Sequence, residues 1–321
     1  MHHKYHINYS SHKKYKHIKV SLLSRVKENI FFIKSLIVSL VALYKGKQFP
    51  YNFSSNELSS LPENYKKLEK DGVLGITDKK LSNKLKDILE NQISAHRQEL
   101  KPDKDRRLAD CIKSLTQKDN ELILKEIEDE VLKNPSFREV LELYFNGKNP
   151  SLRVALMHIN SENDERVLKH SHQDEFDDEL SLFHVDTNLN TFKCMIYLND
   201  VECKENGAFE YVKTSHKDYD FSTFLLRRVI RKLHAFERDD LSKKKLMSYL
   251  KIFRKKNEFT DFSKNSELGC FIKDNSEIFM HPHNIVIFNP LGLHRGGRVF
   301  KGERLALQLV FCCDDFSWRI I

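Results

Sequence analysis

The chain has 321 residues, with 54 Lys and Arg against 46 Asp and Glu, a formal net charge of +8 and 40% hydrophobic residues. That apolar content supports a core and excludes wholesale disorder, and the length suits one large domain or two ordinary ones. The longest mostly apolar stretch, Ile30 to Tyr44, carries Lys34 and is shorter than the roughly 18 residues a membrane-spanning helix requires, which excludes a polytopic membrane protein.

The charge is local. Residues 1–47 hold a net +9 and residues 225–256 another +9, leaving the rest of the chain near −10. A chain that binds nucleic acid through general basicity would spread that charge differently. The six cysteines, Cys111, Cys194, Cys203, Cys270, Cys312 and Cys313, form no C-x-x-C pair. They read as free thiols of a reducing cytoplasm.

Residues 1–20 are rich in His, Lys and Tyr without apolar periodicity and read as a mobile arm. From Leu22 apolar residues recur at 26, 30, 33, 37, 40, 41 and 44, the helical period, with Arg25, Lys27, Lys34, Lys45 and Lys47 supplying a cationic side. Such a helix suits the anionic inner face of a membrane as a peripheral anchor, and equally suits packing against the body of the protein. Residues 48–149 read as a helical region packed on the following domain, with helices over Leu81–Ile93 and Leu122–Leu132 and a short strand at Gly72–Ile76. No period of 20–50 residues repeats, which excludes a solenoid.

After Asn149–Pro150 the pattern changes to short β-rich runs: Leu152–Ile159, Leu180–Val185, Phe192–Val201, Ala208–Val212, Ile285–Phe288 and Leu305–Cys312. Turn signals such as Asn206–Gly207, Asn289–Pro290 and Gly296–Gly297 separate several of them. Strands without alternating helices predict a mainly β domain over 150–321, a double-stranded β-helix (jelly roll, cupin-like) with N-terminal helices. A basic helical insertion over about 217–280 reads as a lid.

The chemistry-bearing signal is "FHVDTN". Strand side chains alternate faces, so His184 and Asp186, two apart, aim an imidazole and a carboxylate at one point. "NPLGLHRGG" offers His294 as a third ligand. Two His and one carboxylate form the facial set of non-haem Fe(II) oxygenases, which leaves coordination positions open. Arg304, ten residues on, opens the strand "RLALQLVFCC" and suits bidentate capture of a carboxylate. A triad and a fixed Arg together point to a chelating keto acid with a second carboxylate, which describes 2-oxoglutarate. An H-x-H cupin metal pattern with a downstream Glu is missing.

On these residues the chain resembles the phytanoyl-CoA dioxygenase family of Fe(II)/2-oxoglutarate oxygenases. The resemblance runs from about Arg153 to Phe311 and more faintly to "LEKDGVLGI" at 68–76. It rests on His184 and Asp186, on "MIYLNDVECKENGAFEYVKTSHK" (195–217), and on His294 with Arg304. Asn206–Gly207 and Ser215–His216 fit the family pattern, whereas Lys213 and Thr214 stand where the family has Pro-Gly. The resemblance implies Fe(II) on His184, Asp186 and His294, and 2-oxoglutarate held through Arg304. It also implies O2 as co-reactant and hydroxylation of a C–H bond, since related halogenases lack the carboxylate that Asp186 provides. Thr191 and Lys193 are further cosubstrate positions implied by the same likeness.

Four readings stay open. One is a hydroxylase of an envelope glycolipid sugar such as 3-deoxy-octulosonate; another is an acyl-CoA hydroxylase. The third is a nucleic-acid-directed oxygenase using Arg295, Arg298 and Arg304, and the fourth is a binding protein on an inactive fold. Arg153, His281 with His283, and His170 with His172 read as pocket-rim, turn or surface residues. The histidines of the N-terminal arm read as too mobile for a preorganised metal site.

Overall fold

The structure is a computed structural model and describes residues 60–100, 111–147, 149–162, 186, 191–216, 273–290 and 292–313. The expected arm and amphipathic helix (1–47), the run Leu180–Val185 with His184, the pair His170 and His172, and most of the insertion lie outside them.

Local sequence rules set the helices. Helix α1, Glu63–Asp71, ends where Gly72 takes a left-handed φ of 81° and its N–H donates to the Leu68 carbonyl at 2.8 Å. A Cβ at Gly72 would stand 2.4 Å from both Tyr211 Oη and His216 Nδ1, so glycine serves the cap and a close approach together. Helix α2, Lys79–Glu99, is capped by Asp78, whose Oδ1 accepts from Leu81 N at 2.9 Å. Helix α3 spans Gln117–Leu132. Helix α4, Pro135–Tyr144, starts behind Asn134, which accepts from Phe137 N at 2.9 Å, with proline in its first turn.

The strands are β1 Val73–Ile76, β2 Ile112–Thr116, β3 Ser151–Ser161, β4 Thr191–Tyr197, β5 Phe209–Val212, β6 Ser276–Phe279, β7 Ile285–Phe288, β8 His294–Gly296 and β9 Glu303–Cys312. The larger sheet runs β1-β7-β4-β9-β3-β2, the smaller β6-β5-β8, and every pairing is antiparallel. This is the expected mainly β, jelly-roll architecture with helical additions.

Two strands depart from the sequence expectation. Strand β2 lies in the region read as helical apart from 72–76, and β6 lies inside the stretch assigned to the insertion. Each buries a single side chain fully, Leu115 and Phe279, and is held by backbone pairing to one neighbour, so neither carries an apolar pattern legible in the sequence. Strands β1 and β2 form the two edges of the larger sheet, so the N-terminal region completes that sheet as well as covering it.

The alternation of β4 shows how the layers divide. Phe192, Cys194 and Ile196 join a cluster with Leu85, Leu89, Ile127, Phe137 and Leu141 of the helices. Met195 and Tyr197 face the other way, into a second cluster with Phe209, Tyr211 and Phe279 of the small sheet. The barrel interior therefore carries the odd-numbered residues of β4, and with them Thr191 and Lys193. Five described cysteines, Cys111, Cys194, Cys203, Cys312 and Cys313, are free thiols. Among the described residues no helix is long and apolar enough to cross a membrane.

Phe192 anchors the helix-to-sheet layer: its ring lies 5.5 Å from Phe137, 5.0 Å from Tyr144 and 6.2 Å from Phe311, all near edge-to-face. Truncation to Ala is expected to destabilise the protein by about 3–5 kcal/mol in urea unfolding followed by circular dichroism. A loss under about 1 kcal/mol would mean that the helices do not depend on this contact.

Candidate functional site

His294 opens β8, opposite Tyr211 of β5. Its imidazole is packed between Phe288 at 4.8 Å, Phe209 at 5.8 Å and Tyr211 at 6.4 Å, ring centre to ring centre. Nδ1 lies 2.8 Å from the Gly292 carbonyl, which can only accept, so Nδ1 carries the hydrogen and Nε2 presents its lone pair to the barrel. The strand start is itself pinned: Leu293 N donates to Ser215 Oγ at 2.7 Å, and Ser215 Oγ donates to the Val212 carbonyl at 2.6 Å. That assigns the Ser of the Ser215–His216 motif to holding the start of β8. Thr214, where the resembled family has Gly, adopts the left-handed φ of 64° that Gly favours, and its N–H bonds the Asp71 carbonyl at 3.0 Å.

Asp186 comes to the same point from a segment 108 residues earlier. Its N–H donates to the Pro290 carbonyl at 2.8 Å, and its Oδ2 stands 3.4 Å from His294 Nε2. With the ring neutral these are two acceptors facing each other in a buried site, an arrangement that a metal ion or a proton on Nε2 would reconcile. Ligands at about 2.1 Å on adjacent coordination positions stand roughly 3 Å apart, so the pair fits a first-row divalent metal with a small adjustment. Lys193 Nζ donates to the same Oδ2 at 2.7 Å, with both side chains under a tenth exposed. His184, the third expected ligand, lies outside the described residues, and among those described no group of three metal-ligating side chains gathers.

Arg304 is 5% exposed and enters the barrel from the start of β9. Its guanidinium donates to the carbonyl oxygens of Gly207 and Gly297 and, at 2.8 Å, to Oδ1 of Asn160. A Cβ on Gly296 would stand 3.1 Å from Arg304 Nη1, so the absence of a side chain there admits the guanidinium to the strand that bears His294. Two residue steps of extended backbone, roughly 7 Å, take the chain from His294 to Gly296.

The remaining candidates scatter. Thr191 is fully buried on the interior face of β4, and its carbonyl accepts from Tyr144 Oη at 2.8 Å. His281 and His283 lie in the turn before β7, while Asp186 is tied to Pro290 beyond its other end, so the length of β7 separates them. Arg295 is 4% exposed and donates to both oxygens of Glu210, at 2.7 and 2.6 Å. Of the three arginines that favoured a phosphate-tracking surface, Arg295 and Arg304 are turned into the fold. Arg298 lies over the ring of Phe300 at 5.0 Å.

Sequence reading missed His158 and Asn160, which share the interior face of β3 beside Arg304: Asn160 pairs with Arg304 and His158 with Ala306. Their spacing inside "SLRVALMHINS", polar at i and i+2 in an apolar strand, was the available signal. Burial, and then the positive charge of Arg304, push the His158 pKa down to about 3, so its imidazole is neutral at pH 7.

No family model matches the chain, and no curated protein matches it. Solved structures of similar shape exist at low identity. SnoK, a non-haem α-ketoglutarate-dependent carbocyclase of nogalamycin biosynthesis, aligns at 13% identity and TM-score 0.45 over 79% of this chain and 85% of its own. EctD from S. alaskensis, with bound Fe, aligns at 12% and 0.47 over 83% and 82%. HygX from Streptomyces hygroscopicus, with nickel and 2-oxoglutarate, aligns at 13% and 0.40 over 78% and 86%.

Lys193→Met leaves the Asp186 carboxylate buried without its ammonium partner. The metal-free variant is expected to lose about 3 kcal/mol in urea unfolding, with the loss shrinking when Mn(II) is added, because a metal replaces the missing cation. An equal loss with and without Mn(II) would separate Asp186 from any metal site.

Proposed function

We propose that the protein is an Fe(II)- and 2-oxoglutarate-dependent oxygenase that hydroxylates a C–H bond of a small or lipid-linked substrate. The observation that carries this reading is the meeting of Asp186 and His294 inside the barrel, two acceptors 3.4 Å apart with the His294 tautomer set for a metal. The motif order supports it: His184 two residues before Asp186, and Arg304 ten after His294.

His184, Asp186 and His294 would hold the iron. Bound together, Fe(II) and 2-oxoglutarate supply the activation of O2 that inserts one oxygen atom into a C–H bond, with succinate and CO2 as co-products. The chain's own part is placement. The Gly292 carbonyl orients the His294 ring, and Lys193 fixes the Asp186 carboxylate and offers a positive charge to the keto-acid end. Arg304 receives the far carboxylate, and Thr191 lines the same interior face. Phe209, Phe288 and Tyr211 around His294 form a largely apolar wall that limits water at the reacting centre.

The substrate class we favour is an anionic, lipid-linked envelope sugar, ahead of an acyl-CoA. Its support is the sequence: a basic segment with an apolar helical stripe over 1–47, and a second basic segment over 225–256. Removing residues 1–47 should abolish sedimentation with vesicles containing anionic lipid; unchanged sedimentation would remove the ground for a membrane-borne substrate.

The iron reading is tested by anaerobic titration with Fe(II) and 2-oxoglutarate, following the visible absorption of the chelate. Wild type is expected to develop the band, and His294→Ala and Asp186→Ala to lose at least nine-tenths of it. No band in wild type, or a full band in either variant, would overturn the assignment.

A further inference from the structure

The interior face where β3 meets β9 carries more polar chemistry than holding Arg304 requires. Asn160 is 1% exposed, and its Oδ1 accepts from Arg304, but its Nδ2 is buried with no hydrogen-bond partner. Two residues earlier on the same face, His158 Nε2 is likewise buried with no partner. Opposite His158 across the ladder stands Ala306, whose methyl group offers no hydrogen bond. A polar atom left unsatisfied in a buried site is unfavourable, so such a pair calls for something to occupy the space. The charge acting on His158, among the described residues, is the positive one of Arg304. Gln308 hydrogen-bonds the other ring nitrogen of His158, and with its amide group donating there the neutral imidazole carries its hydrogen on Nε2; that N–H, the Asn160 amide and the guanidinium together select an anionic acceptor with two oxygens.

We infer that Asn160 and His158 complete, with Arg304, a three-residue grip for the far carboxylate of the keto acid, and so make the cosubstrate site selective for a dicarboxylate. The inference rests on the oxygenase reading and deepens it. Asn160 has two roles through its two amide atoms: Oδ1 steadies the guanidinium, and Nδ2 donates to the ligand. Arg304 supplies charge, and the two β3 residues supply direction, since a guanidinium alone tolerates a range of carboxylate angles.

The test is calorimetric titration of the Mn(II)-loaded full chain with 2-oxoglutarate and with 2-oxopentanoate, which has the same length and lacks the far carboxylate. Wild type is expected to bind 2-oxoglutarate at least tenfold more tightly. Asn160→Asp keeps the oxygen that Arg304 bonds and replaces the donor by a second acceptor. It should weaken 2-oxoglutarate more than tenfold and leave 2-oxopentanoate within about twofold. A purely structural role for Asn160 would weaken both keto acids alike. His158→Phe should weaken 2-oxoglutarate about three- to tenfold, and His158→Gln, which restores a donor, should recover most of it. Unchanged 2-oxoglutarate affinity in Asn160→Asp and His158→Phe would overturn the inference while leaving the oxygenase reading in place. Failure of wild type to bind either keto acid would instead overturn the oxygenase reading itself.

Discussion

The site depends on one electrostatic constraint: two acceptors, the Asp186 carboxylate and the lone pair of His294, face each other at 3.4 Å away from bulk water. In a low-dielectric interior that arrangement is unfavourable unless a cation answers it. Lys193 answers it in the structure described, and a divalent metal would answer it more fully. Much of the neighbouring backbone serves to keep the two groups where they are. Pro290 holds the Asp186 amide, Gly292 holds Nδ1 of His294, and Ser215 holds the residue before His294. None of these bonds reaches the reacting atoms, yet each sets the direction in which a lone pair points.

A second consequence follows from the parity of the strands. Because side chains alternate, each strand of the larger sheet contributes one face to the helical layer and the other to the barrel. Phe192 and Cys194 stabilise the fold; Thr191 and Lys193, one position away, stand in the interior. The same division on β3 places Met157 and Ile159 in the core, and His158 and Asn160 beside Arg304. Stability and chemistry thus share the same strands without sharing side chains.

The glycines near the site act by what they leave out. Gly296 lets the Arg304 guanidinium of β9 lie against β8, the strand that His294 opens. Thr214 shows the converse: the turn keeps its left-handed conformation without glycine, at a cost of about 1–2 kcal/mol that the tertiary contacts with Asp71 help offset.

The sequence by itself determined the mainly β architecture, since β3, β4, β5, β7 and β9 coincide closely with apolar runs bounded by turn residues. It also marked Asp186, His294 and Arg304, because each is a chemistry-bearing residue beside a recognisable strand. Strands β2 and β6 were illegible for a definite reason: they are held by backbone hydrogen bonds to one neighbour and bury one side chain each, and backbone pairing leaves no trace in residue type. The arginines illustrate the same limit. Arg295, Arg298 and Arg304 look alike in a string of letters, and only the fold decided that one pairs with Glu210, one lies over Phe300 and one enters the barrel. The contact of Lys193 with Asp186, and the pairing of Asn160 with Arg304 across 144 residues, depend on strand register. Register is a property of two segments together, so no single stretch of sequence can state it.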